Sequence, residues 1–366
     1  MEQKIKQIAE KLTEAIENLN KKDFTIHFFI IDTKGNPNGS TQYIYETASQ
    51  LIDEGYKCKM LHQEKDFVGV GDWMGEKYAN IVHQCVESDN VKISTSDFLI
   101  IPEIFANVMN QTKNLPCKRI VLCQNVNFIS EFIPLGSSWG DYGLLDVITT
   151  TETQANDIKE LFPYAKTKVV NPSIPNYFRD NDEPKKLTIS IVTKEQATVN
   201  KIVKQFHWKY PQYSWVTFND LRGYNREKFS DLLRESAITV LIDDETYFGY
   251  TAIEAMKSGS LVIGKIPEVI PEWMYDDDKT SLVDNGIWFT DFRKIHNIIA
   301  QAIKLWMEDA IPETLYEEAS KTALKYTVED KVKQLNTVFG EYVTERIAEL
   351  QIIQEVNNNK LKEIKE

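Results

Sequence analysis

Asp243-Asp244-Glu245-Thr246-Tyr247-Phe248-Gly249-Tyr250-Thr251-Ala252-Ile253-Glu254-Ala255-Met256-Lys257-Ser258-Gly259 stands between two short apolar runs, 238–242 and 261–263. The order is strand, acidic and aromatic turn, helix, strand. Gly249 and Tyr250 open the helix, and Glu254 lies about one turn further along it. A helix N-terminus offers backbone N–H groups without intrahelical acceptors and a partial positive charge, so the amides near Gly249, Tyr250 and Thr251 suit a diphosphate. A carboxylate one turn on suits two ribose hydroxyls, which gives Glu254 that task. Without its flanking residues, Glu254 reads as a surface residue on an ordinary capped helix.

Outward from this segment, apolar runs at 187–192, 214–218, 238–242, 261–263 and 287–289 alternate with helical patterns. An earlier series at 24–31, 57–61, 98–101, 119–123 and 146–150 does the same. Such alternation predicts βαβ units with parallel sheets, an α/β class. Residues 176–186 are polar, charged and Pro-containing, as a linker would be. The expected organisation is one α/β domain over 1–180, a second over 181–326, and a helical segment over 327–366. In that last segment Val332, Leu335, Val338, Tyr342 and Ile347 fall roughly on one stripe, and Asn357-Asn358-Asn359-Lys360 marks fraying or a helix break. Ile5, Ile8, Leu12, Ala15, Ile16 and Leu19 predict an amphipathic helix over 2–21, docked on its own domain, on a partner or on a membrane surface.

A second Gly-rich turn, Asp32-Thr33-Lys34-Gly35-Asn36-Pro37-Asn38-Gly39-Ser40-Thr41, follows the first strongly apolar strand and leads into a helix through Tyr45, Ala48 and Leu51. Gly39 at that helix start reads as a cleft edge, or simply as a turn with an N-cap.

The stretch from Phe248 to Gly264 resembles the donor-site signature of GT-B glycosyltransferases of the group 1 family, written E-FG-LEAMA-G-PVI. Its matching parts are Phe248-Gly249, Ile253-Glu254-Ala255-Met256-Lys257 and Leu261-Val262-Ile263-Gly264. Val147-Ile148-Thr149-Thr150-Thr151-Glu152 and Val169-Val170-Asn171-Pro172-Ser173-Ile174 resemble further landmarks in the same order, so the resemblance covers roughly 24–310. It implies the GT-B fold: two Rossmann-like domains facing across a cleft, with a C-terminal helix crossing back onto the first. It also implies a nucleoside-diphosphate sugar as donor, held mainly by the second domain, no other cofactor and no metal.

Three departures stand against the pattern. The family's acidic pair is spaced E-x7-E, but the first position here is Thr246, with Glu245 one residue earlier. The basic pair that neutralises the diphosphate has Lys194 as its best match and Lys201 as a looser one. Where many relatives carry a His on the acceptor side, this chain has Gln124-Asn125, and Gln124 can hydrogen-bond a hydroxyl but cannot take its proton near neutral pH. In a retaining enzyme the leaving diphosphate can assist that deprotonation. Arg222-Gly223-Tyr224 falls where relatives hold the base, and Glu272 matches a position that starts a helix.

Composition narrows the functional classes. The chain has 366 residues, 42 Lys plus Arg and 55 Asp plus Glu, a net charge of −13. That repels nucleic acid over most of the surface, so a nucleic-acid acceptor is disfavoured. No run approaches the roughly 20 apolar residues of a spanning helix, and the start lacks a signal peptide's apolar core, so a cytoplasmic, at most membrane-peripheral, location is expected. Cys58, Cys85, Cys117 and Cys123 form no CxxC or Cys/His spacing and read as reduced structural thiols. The aromatic cluster around Phe206, His207, Trp208, Tyr210, Tyr213 and Trp215 reads as core packing, Asp276-Asp277-Asp278 as a solvated turn, and Trp139-Gly140-Asp141-Tyr142-Gly143 as a sugar contact or a turn. The leading expectation is a glycosyltransferase acting on a glycan, lipid-linked sugar or protein acceptor. A GT-B scaffold without turnover and a nucleotide-sugar epimerase are the alternatives.

Overall fold

A computed structural model describes Ile16, residues 19–180, 183–243, 246–276 and 278–363, with no side chains past residue 357. Two sheets form, and all their pairings are parallel. The first has the order β3-β2-β1-β4-β5-β6-β7, from β1 (Thr25–Phe29), β2 (Lys57–His62), β3 (His83–Cys85), β4 (Phe98–Pro102), β5 (Lys118–Cys123), β6 (Asp146–Thr149) and β7 (Lys166–Val169). The second has the order β12-β11-β10-β8-β9, from β8 (Lys186–Thr193), β9 (Thr217–Asp220), β10 (Ser236–Ile242), β11 (Leu261–Lys265) and β12 (Ile287–Phe289). Central strands such as β4 are buried along their whole length, as near-continuous apolar runs covered on both faces must be. β3 and β7 are absent from the sequence reading because His-Gln-Cys and Lys-Thr-Lys-Val are edge sequences with little apolar signal.

Helices of eight residues or more are α1 (Gly39–Asp53), α2 (Glu152–Leu161), α3 (Gln196–Lys209), α4 (Arg226–Glu235), α5 (Tyr250–Lys257), α6 (Ile295–Met307), α7 (Glu313–Leu324) and α8 (Val328–Glu363). Side chains of Asn38, Thr151 and Asn225 accept hydrogen bonds from the first turns of α1, α2 and α4, so turn residues in the sequence set those helix starts. α8 lies on the first sheet: Leu335, Val338, Phe339 and Tyr342 share a core with Phe24, Phe28 and Phe98. Its backbone runs helical through 357–360, so the expected break there is not found; a helix already fixed by packing tolerates a few weak formers near its end. The expected helix over 2–21 lies outside the described residues, apart from helical Ile16 and its far end, where Asn20 instead caps a 3-10 turn at Lys21–Asp23. All four cysteines are buried free thiols. Among the described residues no helix is long and apolar enough to cross a membrane.

Candidate functional site

In each sheet the strand order reverses once, between β1 and β4 and between β8 and β10. Ligands of open α/β sheets bind outside the carboxyl ends of the strands at such reversals. Here the two sets of carboxyl ends border one cleft of about 880 Å³. Every candidate residue from the sequence except Lys201 lines it: Gly39 and Gln124 from the first domain, and Lys194, Arg222, Thr246, Phe248, Gly249, Tyr250, Thr251 and Glu254 from the second. Lys201, on α3, instead places its ammonium 5.2 Å from the centre of the Phe292 ring, a cation–π contact away from the cleft lining. A seven-residue step along a helix from the strand end moved it out of reach.

Gly249 has φ +75°, and a Cβ there would sit 3.3 Å from the Trp273 ring, so the turn into α5 needs glycine. The Gly249 N–H donates to the Thr246 hydroxyl at 2.9 Å. That amide is therefore engaged within the turn, and the amides of Tyr250 and Thr251, in the first turn of α5, are the ones that suit an anion. Tyr250 is packed against the cores of both domains and lies 3.5 Å from where a Gly39 Cβ would be. Asp244 and Glu245 lie outside the described residues.

Glu254 is fully buried, and both its oxygens are bonded by the Arg226 guanidinium, Oε2 at 3.4 Å. Arg226 stacks over Phe178 and Phe229 at 4.7 and 5.4 Å. Burial alone would lower its pKa, but Glu254, Tyr177 and Glu46 hold it more firmly protonated than usual. A second buried pair joins α8 to α1: Lys331 Nζ is 3.9 Å from Glu46 Oε2 and 4.4 Å from the Tyr43 ring centre. Burial lowers the Lys331 pKa to about 8 against the pull of Glu46, and raises that of Glu46 against the pull of Lys331 and Arg226. The Lys331 ammonium, Glu46 Oε2, Arg226 Nε and Tyr250 hydroxyl are all buried without a hydrogen-bond partner.

On the opposite wall Gln124 is fastened by three elements. Its N–H donates to Glu103 at 3.0 Å, its carbonyl accepts from Gln154, and its side-chain amide donates to the Ser40 carbonyl at 3.3 Å. Glu103 also accepts the Asn125 N–H at 2.8 Å; burial pushes its carboxyl up to about 7 against these bonds. In the Arg222-Gly223-Tyr224 turn, Arg222 Nε is 2.9 Å from Asp220, and Tyr224 lines the cleft half-exposed. Lys194 lies 3.5 Å from Asp243.

Elsewhere the structure decides what the sequence left open. Trp139 is buried against Phe162 at 4.9 Å in a 3-10 turn closed by Asp141, so that loop turns the chain and its tryptophan faces no ligand. Phe206, Tyr210, Tyr213 and Phe218 pack together in the second domain, but Trp208 and Trp215 are exposed, so the expected core packing holds for only part of that cluster. Asp276 accepts from Thr280 and Ser281, which hold its carboxyl down at about 2. Glu272 is partly buried and its pKa raised by burial, offset by the N–H groups of Thr153 and Glu152 at the start of α2. Four residues escaped sequence reasoning: Arg226, Glu46, Lys331 and Lys265. Lys265 left a legible signal, since it ends an apolar strand, whereas the buried pairs join segments up to 285 positions apart.

No family model matches the chain. A stretch of 181 residues is 20% identical to an alpha-1,6-glucosyltransferase of Actinobacillus pleuropneumoniae, covering 48% of this chain and 55% of that protein. The chain thus spans about half the length of the curated relative it matches. Among solved structures it is similar to a glycosyltransferase from Rickettsia africae (TM-score 0.61, 13% identity, 90% of this chain and 99% of that one). It is also similar to sucrose-phosphate synthase from Thermosynechococcus elongatus (0.60, 10%, 88% and 99%) and to Anabaena HepE in complex with UDP-glucose (0.54, 12%, 87% and 99%). The fold is GT-B. Within it, the cleft just described is the gap between the two GT-B domains, and α5 belongs to the second. At these identities the likeness fixes architecture, and chemistry has to be argued from the cleft residues.

Proposed function

We propose that the chain is a glycosyltransferase that moves a sugar from a nucleoside-diphosphate donor to an acceptor hydroxyl with retention. One arrangement carries this: α5 with its glycine-opened N-terminus, Glu254 and Lys194 form one wall of a cleft whose other wall holds Gly39 and Gln124. In the reaction the bond from the sugar C1 to the diphosphate oxygen breaks and leaves its electron pair on that oxygen. The acceptor oxygen bonds to C1, and its proton passes to the departing diphosphate. Lys194 and the amides of Tyr250 and Thr251 offset the charge that grows on the leaving group. Gln124, held on three sides, orients the hydroxyl and leaves its proton to the diphosphate. A matched relative named as a glucosyltransferase and a neighbour in complex with UDP-glucose support this class of donor. The same reading makes the chain a metal-independent group 1 enzyme of the cytoplasm, with a glycan, lipid-linked sugar or protein as acceptor.

The test is incubation with UDP-, GDP-, ADP-, CDP- and dTDP-sugars, with and without candidate acceptors, following release of nucleoside diphosphate. Release that rises with one acceptor class is the expected result; no binding of any nucleotide would remove the proposal. A second reading, a GT-B binding protein without turnover, is favoured by the Arg226 guanidinium already bonded to Glu254 and by Thr246 in place of an acidic residue. Tight nucleotide binding with neither release nor transfer would select it.

A further inference from the structure

A diphosphate leaving group needs cations facing it, and the whole chain carries −13. The second domain brings four cationic side chains to the cleft: Lys194, Arg222, Arg226 and Lys265. Two of them are guanidiniums bonded to carboxylates of their own domain, Arg222 to both oxygens of Asp220 at 2.9 and 3.2 Å and Arg226 to Glu254. Lys194 likewise has a carboxylate near it, Asp243 at 3.5 Å, and what sets the two lysines apart is their place at strand ends. In the order β11-β10-β8, Leu241 is paired with Gly264 and Ile242 with Thr193, so Lys265 is the last residue of β11 and Lys194 the first after β8, on either side of β10. Two strand spacings separate them, roughly 10 Å, which two lysine side chains can close onto one diphosphate. They bracket the reversal of strand order between β8 and β10. Next to Lys265, Gly264 has to be glycine, because a Cβ there would lie 2.3 Å from the Trp288 ring.

We infer that Lys265 is the second cation that binds the donor diphosphate, the task the family pattern gives to Lys201. The inference rests on the glycosyltransferase reading and adds to it a binding residue that the motif does not contain. Lys194 and Lys265 approach the anion from two strands, and the α5 amides complete the cradle.

Equilibrium binding of UDP, GDP, ADP, CDP and dTDP, each with its parent nucleoside, to the full chain and to Lys265→Met, Lys265→Arg, Lys194→Met and Lys201→Met tests this. With the charged hydrogen bond lost, Lys265→Met is expected to weaken the bound nucleoside diphosphate by about 10- to 150-fold. Nucleoside affinity should stay unchanged, Lys265→Arg should retain most of the affinity, and Lys201→Met should behave as the parent chain. An equal loss for nucleoside and diphosphate, no loss at all, or a loss that follows Lys201 instead would overturn the assignment and leave the glycosyltransferase reading standing. A parent chain that binds none of the diphosphates overturns both. Lys265→Gln, compared by melting temperature, guards against a folding defect peculiar to methionine.

Discussion

Glu254 shows how a motif residue can be present and yet differently placed in energy. Its carboxylate is buried and bonded by Arg226, so removing it does more than delete the ribose contact expected of it. Glu254→Ala leaves the Arg226 charge buried without its partner, and breaking such a pair costs about 3–5 kcal/mol. Urea denaturation of Glu254→Ala should show that loss, and Arg226→Met in the same chain should restore much of it; equal stability of the single and double variants would mean the pair is not coupled. Gly249→Ala forces a Cβ into the left-handed region against Trp273, and a stability loss of about 1–2 kcal/mol is expected. Glu103 gives a pH signature. Its carboxyl is raised to about 7 from an ordinary 4.5, so between those values the folded state holds the proton that the unfolded state has released. Its contribution therefore falls as pH rises from 4.5 to 7, and Glu103→Gln should flatten that part of the stability profile.

At the scale of elements, α8 joins the first sheet by ordinary apolar packing and also carries Lys331 into a nearly dry position, 1% exposed, beside Glu46 of α1. The lysine's pKa falls to about 8 from an ordinary 10.5, so over that window the unfolded chain binds more protons. Stability from this group should rise between pH 8 and 10.5, and Lys331→Met should abolish the slope. Replacing such a pair by apolar groups is often neutral or stabilising, so Lys331→Met with Glu46→Gln should melt no lower than Lys331→Met alone. A lower melting point for the double variant would show that the contacts of Glu46 with Arg226 and Gln42 outweigh the cost of burying its charge without Lys331.

For the whole molecule, the decisive relation is between the two sheets. Their strand ends meet, Tyr250 touches the cores of both, and α8 leaves the second domain to pack on the first. A ligand held between two domains binds the folded state only, and adds about 2.7 kcal/mol at a concentration of 100 Kd. A nucleoside diphosphate bound in this cleft should therefore raise the melting temperature of the full chain, read by calorimetry with and without the nucleotide. No shift with a ligand shown to bind would mean that it binds the unfolded chain about as well.

Much of the architecture was legible because strand, turn and helix each leave a local mark. Alternating apolar runs and helical periods gave two α/β units, and the glycine of Phe248-Gly249-Tyr250 marked the helix start that borders the cleft. Pairings between distant segments were not legible. Along the chain Lys201 read only as a looser match than Lys194, and nothing local marked Lys265 beyond its place at the end of an apolar strand; only strand order tells which lysines end beside β10. Arg226 and Lys331 carry no local sign that they are buried, since their partners lie 28 and 285 positions away. By itself the sequence determined the class of the fold and the turn that opens α5, because backbone geometry and apolar period act over a few residues. Tertiary structure alone decided which charges face the cleft and which are sealed beneath it, because that depends on how close distant strands and helices come.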